Sequence, residues 1–440
     1  MSLFDTAMIV QGFPVGEART RMQALTRLSA DDLQAHNESQ RWAIARHHYD
    51  HNPFYRSLVG GAFPSAWTDL PCVTKYDLQR PLSELIARGV PQNRLYVSST
   101  SGSTGHPFFF AKDKLSHALS WELVRQRYAL HGVRMNGLQA RVYGIPLNAS
   151  GYWKERLKDW IANRVRLPVF DLSEEALARF LAEFARRRFE YVYGYTSAVA
   201  RLCEFVLTRN TTLKDLCPTL KAGIVTSEVC TPEDRATIAR ALGGPPVVNE
   251  YGASELGVLG FEWPDGVMRG SDELVHLETA PDEHGIPRLL CTSLTNTAFP
   301  MIRYAIGDAV ELDRVEGRTV IRSIEGRVND FAVLPSGKVS AGLTFYYIAR
   351  RALETSDRIR EFVVRQVGPG AFVFDVVARQ PLTTDDLAQM QDNMDRYLEP
   401  GLTFEINYVD AIQRGRNGKL RHFTNTMPAA PAGSETAAAR

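Results

Sequence analysis

Hydroxyl groups and glycines crowd one short stretch, Thr100-Ser101-Gly102-Ser103-Thr104-Gly105, between strand-like Leu95-Tyr96-Val97 and a second strand-like run from Phe108 to Ala111. Glycines let backbone N–H groups converge and the hydroxyls add donors, so such a loop can wrap a polyphosphate. It can equally be a polar turn, since neither a G-x-x-x-x-G-K-[ST] pattern nor a dinucleotide fingerprint is present. Two carboxylates follow. Glu255 closes Asn249-Glu250-Tyr251-Gly252-Ala253-Ser254-Glu255 after an apolar strand; its oxygens suit a hard divalent ion bridging phosphates, or the cap of a following helix. Asp308 ends Phe299-Pro300-Met301-Ile302-Arg303-Tyr304-Ala305-Ile306-Gly307-Asp308; alone it reads as a hairpin turn, though a carboxylate there can also accept hydrogen bonds from a ligand's vicinal hydroxyls. Two cations complete the set. Arg327 lies in the turn-like Ile324-Glu325-Gly326-Arg327-Val328-Asn329-Asp330, and Lys419 in Arg414-Gly415-Arg416-Asn417-Gly418-Lys419-Leu420-Arg421. A cation in such a turn can stabilise charge gathering on a bound anion, although basic turns are commonly just solvated.

The elements that must position these residues are legible as periodicity. Helices run from Glu17 to Tyr49, up to the break at Pro53. Strand-like Arg141–Ile145, Tyr191–Tyr195, Ala222–Thr226 and Val247–Tyr251 then alternate with helices, including Ser173–Arg188 and Pro232–Leu242. That alternation predicts α/β layers with largely parallel sheets. After about residue 275, short strands at Arg288–Thr292, Met301–Tyr304, Ala309–Leu312 and Thr319–Ile324 predict a small β-rich subdomain. Strands at Phe362–Gln366, Phe372–Ala378 and Thr403–Tyr408, with a helix over Thr384–Tyr397, predict a small α+β domain beyond it. The tail from Pro428 to Arg440 has almost no large apolar side chain and is expected to be disordered.

Composition narrows the function. With 51 Lys and Arg against 50 Asp and Glu, the net charge of +1 offers no field for nucleic acid or an anionic membrane. A small ligand is the better expectation. No run reaches the roughly 18 apolar residues of a membrane span, and the start lacks a basic leader, so the expected location is the cytoplasm. The five cysteines show no C-x-x-C pair or zinc-like spacing and are expected to be reduced.

In this order the motifs resemble those of the adenylate-forming superfamily: acyl-CoA synthetases, peptide-synthetase adenylation domains and luciferases. The resemblance covers roughly residues 40 to 425. Asn52-Pro53-Phe54-Tyr55-Arg56, Leu70-Pro71-Cys72-Val73-Thr74-Lys75-Tyr76-Asp77-Leu78, Tyr193-Gly194-Tyr195-Thr196-Ser197, Thr226-Ser227-Glu228 and Pro335-Ser336-Gly337-Lys338 are similar to the phenylacetate-CoA ligase and CapK-like branch. It implies a large domain over 1–328, a small mobile domain over 329–427 carrying the catalytic Lys419, and a tail over 428–440. It also implies ATP on Ser101, Gly102, Ser103, Thr104, Gly105, Ser227, Glu228, Tyr251, Gly252, Asp308 and Arg327, with magnesium on Glu255 and the acid beside Tyr193 and Tyr195.

The implied reaction activates an aryl or small acyl carboxylic acid as acyl-AMP and transfers it to coenzyme A. The alternatives are an amine, hydroxyl or carrier-protein acceptor, and a non-catalytic nucleotide-binding relative; a homodimer is compatible with the family. Three departures stand out. His106 replaces a frequent lysine, Ala305 and Ile306 replace arginine and threonine, and Asn329 replaces aspartate or lysine. No Cys-x-Cys-Gly segment precedes the hinge, so the acid need not be phenylacetate. Tyr152, Trp153, Tyr193 and Tyr195 are compatible with an aryl pocket.

Overall fold

The computed structural model describes residues 2–99, 109–144, 149–281, 287–325, 331–342, 344–345, 347–349, 358–412 and 423–426. Four helices open the chain: α1 (Leu3–Val10), α2 (Val15–Thr26), α3 (Ala30–His51) and α4 (Pro53–Val59). Asn52 ends α3 and caps α4, its side chain accepting from the Tyr55 N–H with Pro53 at the first helical position. A short α5 (Leu82–Leu85) leads to an antiparallel hairpin of β1 (Leu95–Ser99) and β2 (Phe109–Asp113), and then to α6 (Lys114–Ala129), capped by Asp113.

The expected α/β alternation follows. β3 (Gln139–Val142), α7 (Ala149–Ile161), β4 (Arg164–Leu167), α8 (Glu174–Arg186), β5 (Tyr191–Tyr195), α9 (Thr196–Thr208), α10 (Leu213–Leu216), β6 (Ala222–Thr226), α11 (Pro232–Leu242) and β7 (Val247–Ala253) come in turn. α11 begins and ends where the sequence puts it, because Thr231 and Asp234 form a capping box, Pro232 opens the helix and Gly243 closes it in the left-handed conformation.

The strands beyond differ from expectation. β8 (Gly257–Glu262), β9 (Met268–Gly270), β10 (Val275–Pro281), β11 (Pro287–Ser293), β12 (Tyr304–Val315) and β13 (Arg318–Glu325) form no separate sheet. They extend the α/β sheet into one of 11 strands, ordered β10-β11-β12-β13-β9-β8-β7-β6-β5-β3-β4, parallel from β7 to β4 and antiparallel elsewhere. The expected strand at Met301–Tyr304 starts only at Tyr304, because Arg303 has φ 45°. Its buried guanidinium pays for that strain by pairing with Glu278 at 3.0 Å and donating to the Thr68 and Leu70 carbonyls. Val73 donates its N–H to the Arg303 carbonyl and accepts from the Ala305 N–H, so the Leu70–Leu78 motif lies beside the Arg303–Ala305 motif.

The parallel half of the sheet has two unlike faces. Ala140, Val142, Val192 and Val225 point toward Leu177, Phe180, Leu202, Val206, Ile238 and Leu242 of α8, α9 and α11 and form an apolar core with them. The opposite face carries Arg164 on β4, Gln139 and Arg141 on β3, Tyr191, Tyr193 and Tyr195 on β5, Thr226 on β6 and Glu250 on β7, aligned by the strand register. Charged side chains on the inner face of a central sheet do not serve stability.

A two-stranded ribbon, β14 (Phe331–Val333) and β15 (Val339–Ala341), precedes a distinct four-stranded sheet ordered β18-β17-β16-β19. Its strands are β16 (Ile359–Gly368), β17 (Ala371–Ala378), β18 (Thr403–Tyr408) and β19 (Phe423–Asn425), with α12 (Thr384–Tyr397) packed on it. α12 and β18 have the expected bounds. Phe170 of the larger unit meets Tyr347 and Tyr397 edge-on at 5.2 and 4.9 Å. The proposed boundary at 328/329 and the tail 428–440 lie outside the described residues.

Candidate active site

A cavity of about 1300 Å³ runs along the polar face of β3 to β7 and reaches the C-terminal ends of β5, β6 and β7, where ligands bind in open α/β sheets. Tyr193, Tyr195, Ser227, Glu228, Tyr251, Gly252, Glu255 and Asp308 all line it.

Two irregular strands aim the carboxylates. Between Leu290↔Ala305 and Arg288↔Ala309, β12 spends more residues than β11, so Gly307 and Asp308 form a bulge rather than the alternative hairpin turn. Bulges re-aim side chains, and Asp308 here accepts a hydrogen bond from the Tyr251 hydroxyl at 2.8 Å. Glu255 does not cap a helix, since β8 follows it. It is 5% exposed, and its Oε1 accepts from the buried Tyr304 hydroxyl at 2.9 Å.

Lys112 of β2, also buried, lines the same cavity. Burial lowers its ammonium to about 8, against the pull of the neighbouring Glu255 carboxylate. Ser227 has φ 70°, a strained conformation at the β6 turn, and the next residue, Glu228, accepts from the Ser197 N–H at 2.8 Å in the first turn of α9.

The floor is the polar face of the sheet. Glu250 accepts from the Tyr193 hydroxyl at 2.9 Å and the Tyr128 hydroxyl at 3.2 Å. Burial raises its carboxyl above the ordinary range, while the phenols and Arg141 pull it down. Arg141 lies over the rings of Tyr143 and Tyr193, 4.4 and 4.9 Å from their centres, and the Tyr195 ring is 4.1 Å from that of Tyr143. Trp153 does not join this wall; it is 71% exposed.

Ser101, Gly102, Ser103, Thr104, Gly105, His106, Arg327, Asn329 and Lys419 lie outside the described residues. Among residues to which the sequence attached no role, Lys112, Tyr128, Gln139, Arg141 and Glu250 line the cavity. Lys112 carried a usable signal, the first charge after an apolar strand-like run. Tyr128 carried none, because a tyrosine near a helix end reads as ordinary packing.

No family model matches the chain. It is 25% identical to protein CapK of Staphylococcus aureus over 369 residues, covering 81% of this chain and 80% of that one. It is 27% identical to phenylacetate-coenzyme A ligase of Escherichia coli K12 over 346 residues, covering 72% and 76%. A solved structure of 2-hydroxyisobutyryl-CoA ligase, in complex with 2-HIB-AMP and CoA in the thioesterification state, superposes with a TM-score of 0.55 at 18% identity and covers 90% of each chain. The resemblance to the phenylacetate-CoA ligase and CapK-like branch is thus borne out by its relatives, and the fold is that of the adenylate-forming ligases. No helix among the described residues is long and apolar enough to cross a membrane.

Proposed function

We propose that this chain activates a carboxylic acid with ATP and passes the acyl group to coenzyme A. The observation that carries this is the meeting of Tyr251, Glu255 and Asp308, each on a different turn or bulge, in one cavity whose floor is built separately. A carboxylate oxygen attacks the α-phosphorus, the bond to the β-phosphate oxygen breaks, and pyrophosphate leaves. The thiol, losing its proton, then attacks the acyl carbon, and AMP departs with the carboxylate oxygen.

Asp308 holds the ribose hydroxyls, with Tyr251 positioning it and flanking the base. Ser227 and Glu228 border the adenine side, and Tyr193 and Tyr195 wall the acid. The loop of Ser101 to Gly105 wraps the phosphates, Arg327 approaches the nucleotide, and Lys419 steadies the transferring charge; these are assigned by motif. No three His, Cys, Asp or Glu side chains among the described residues could hold a metal alone. The buried Glu255 carboxylate at the cavity would be the protein group to hold a magnesium ion alongside the nucleotide phosphates. Such an ion would neutralise phosphate charge.

Coenzyme A is favoured as acceptor by the relatives' names; an amine, hydroxyl or carrier protein is the second reading. Acid-dependent exchange of pyrophosphate into ATP tests the first step, and no exchange over a broad acid panel contradicts it. Mass spectrometry with and without coenzyme A tests the second: acyl-AMP that persists without a thioester supports the second reading. A homodimer is part of the same proposal and is decided by sedimentation equilibrium.

A further inference from the structure

Given the adenylation proposed above, on which this rests, we infer that the acid carries a second anionic group, bound by Arg141 at the end of the cavity away from the nucleotide. Arg141 stands on β3, at the far side of the polar face from Tyr251 on β7, with β5 and β6 between. At about 4.8 Å per strand spacing the two backbones are roughly 14 Å apart. That leaves room for an aryl ring or a short carbon chain between the reacting carboxylate and a second group.

The charge balance on this face is what points to an anion. Glu250 has both oxygens occupied, by the hydroxyls of Tyr193 and Tyr128. Arg166 of β4 is paired with Asp159 at 2.7 Å, and Glu155 is shared between Lys158 and Arg166. Among the described residues Arg141 has no carboxylate in direct ion-pair contact; Glu250 and Asp159 act on it only at longer range. Among the described residues its guanidinium donates to the neutral Gln139 side chain at 3.1 Å, lies over two tyrosine rings, and keeps a buried Nε with no partner. Arg164, next to it on β4 and also lining the cavity, adds positive charge, and burial there lowers it to about 10. Burying a guanidinium without a directly paired counter-charge is costly. Tyrosine faces offset part of that cost and hold the planar fork in place, which leaves its N–H groups for a carboxylate. A pocket for phenylacetate itself would need none of this.

The test compares matched acids in pyrophosphate exchange with the full chain: 4-carboxyphenylacetate against 4-methylphenylacetate, and adipate against hexanoate. Wild type is expected to favour the dianion of each pair in kcat/KM by about tenfold or more. Arg141→Met is expected to remove that preference, and Arg141→Lys to restore part of it. Equal use of both members, or preference for the neutral-tailed acids, overturns the inference while leaving adenylation standing. So does an Arg141→Met protein whose ratio matches wild type. Absence of exchange with every acid overturns both. The wild-type ratio needs no variant to fold.

Discussion

The Tyr251 hydroxyl donates to Asp308 Oδ2 at 2.8 Å across 57 residues of sequence, tying the end of β7 to the bulge of β12. A hydrogen bond to a charged group is worth about 1.5–3 kcal/mol, and every 1.4 kcal/mol is about tenfold in affinity. Tyr251→Phe is therefore expected to weaken ATP binding about tenfold by calorimetry while the fold persists. An unchanged dissociation constant would separate this bond from nucleotide binding.

Lys112 and Glu255 share one buried environment at the cavity, so an ammonium there adds to whatever the phosphate loop supplies. Lys112→Met is expected to slow pyrophosphate exchange about a hundredfold or more. Because its ammonium titrates near 8, the wild-type rate should fall as pH rises through that value. Lys112→Arg, charged throughout, should lose that limb of the profile.

Gly252 has no room for a side chain: a Cβ would stand 2.5 Å from the Gly257 carbonyl oxygen. Gly252→Ala is expected to destabilise the fold by about 1–3 kcal/mol and to lower exchange by displacing Tyr251 and Glu255. Thermal melting and exchange would both report it; a variant with unaltered melting and activity would show that this turn tolerates movement.

Three histidines, His48 and His276 buried and His117 half-buried, set an acid limit. His117 accepts from the Trp121 indole and His276 accepts from Arg41 at Nε2, which both require a neutral ring, while His48 donates Nε2–H to the Asn296 carbonyl and is kept neutral by burial against that bond. Burial lowers them to about 4, 3 and 3. The unfolded chain, with its histidines near 6.5, binds more protons below that pH, so stability is full above 6.5 and is lost as pH falls toward 4 and 3. His48 alone contributes roughly 3 kcal/mol to this loss. Urea midpoints should decline from pH 7 to pH 4, and His48→Gln should flatten the decline.

The parallel strands and α11 were legible because alternation and caps are local signals, as with Thr231, Pro232 and Gly243. The continuation of the sheet through β8 to β13 was not, since strand order is set by pairings far apart in sequence. Tyr251 and Asp308 were legible as motif residues, whereas their bond was not, because the bulge that aims Asp308 depends on the register of β11. Arg141 and Glu250 were hidden for a related reason. Their meaning comes from meeting Tyr193 on the polar face of the sheet, and each alone is an unremarkable charge within a strand.

The most direct test of acyl-adenylate chemistry follows oxygen. With the carboxylate of an accepted acid labelled with oxygen-18, turnover in the presence of coenzyme A should leave one labelled oxygen in the AMP phosphate, read by mass spectrometry. Label in inorganic phosphate with ADP as the nucleotide product, or AMP without label, would contradict attack of the acid on the α-phosphorus.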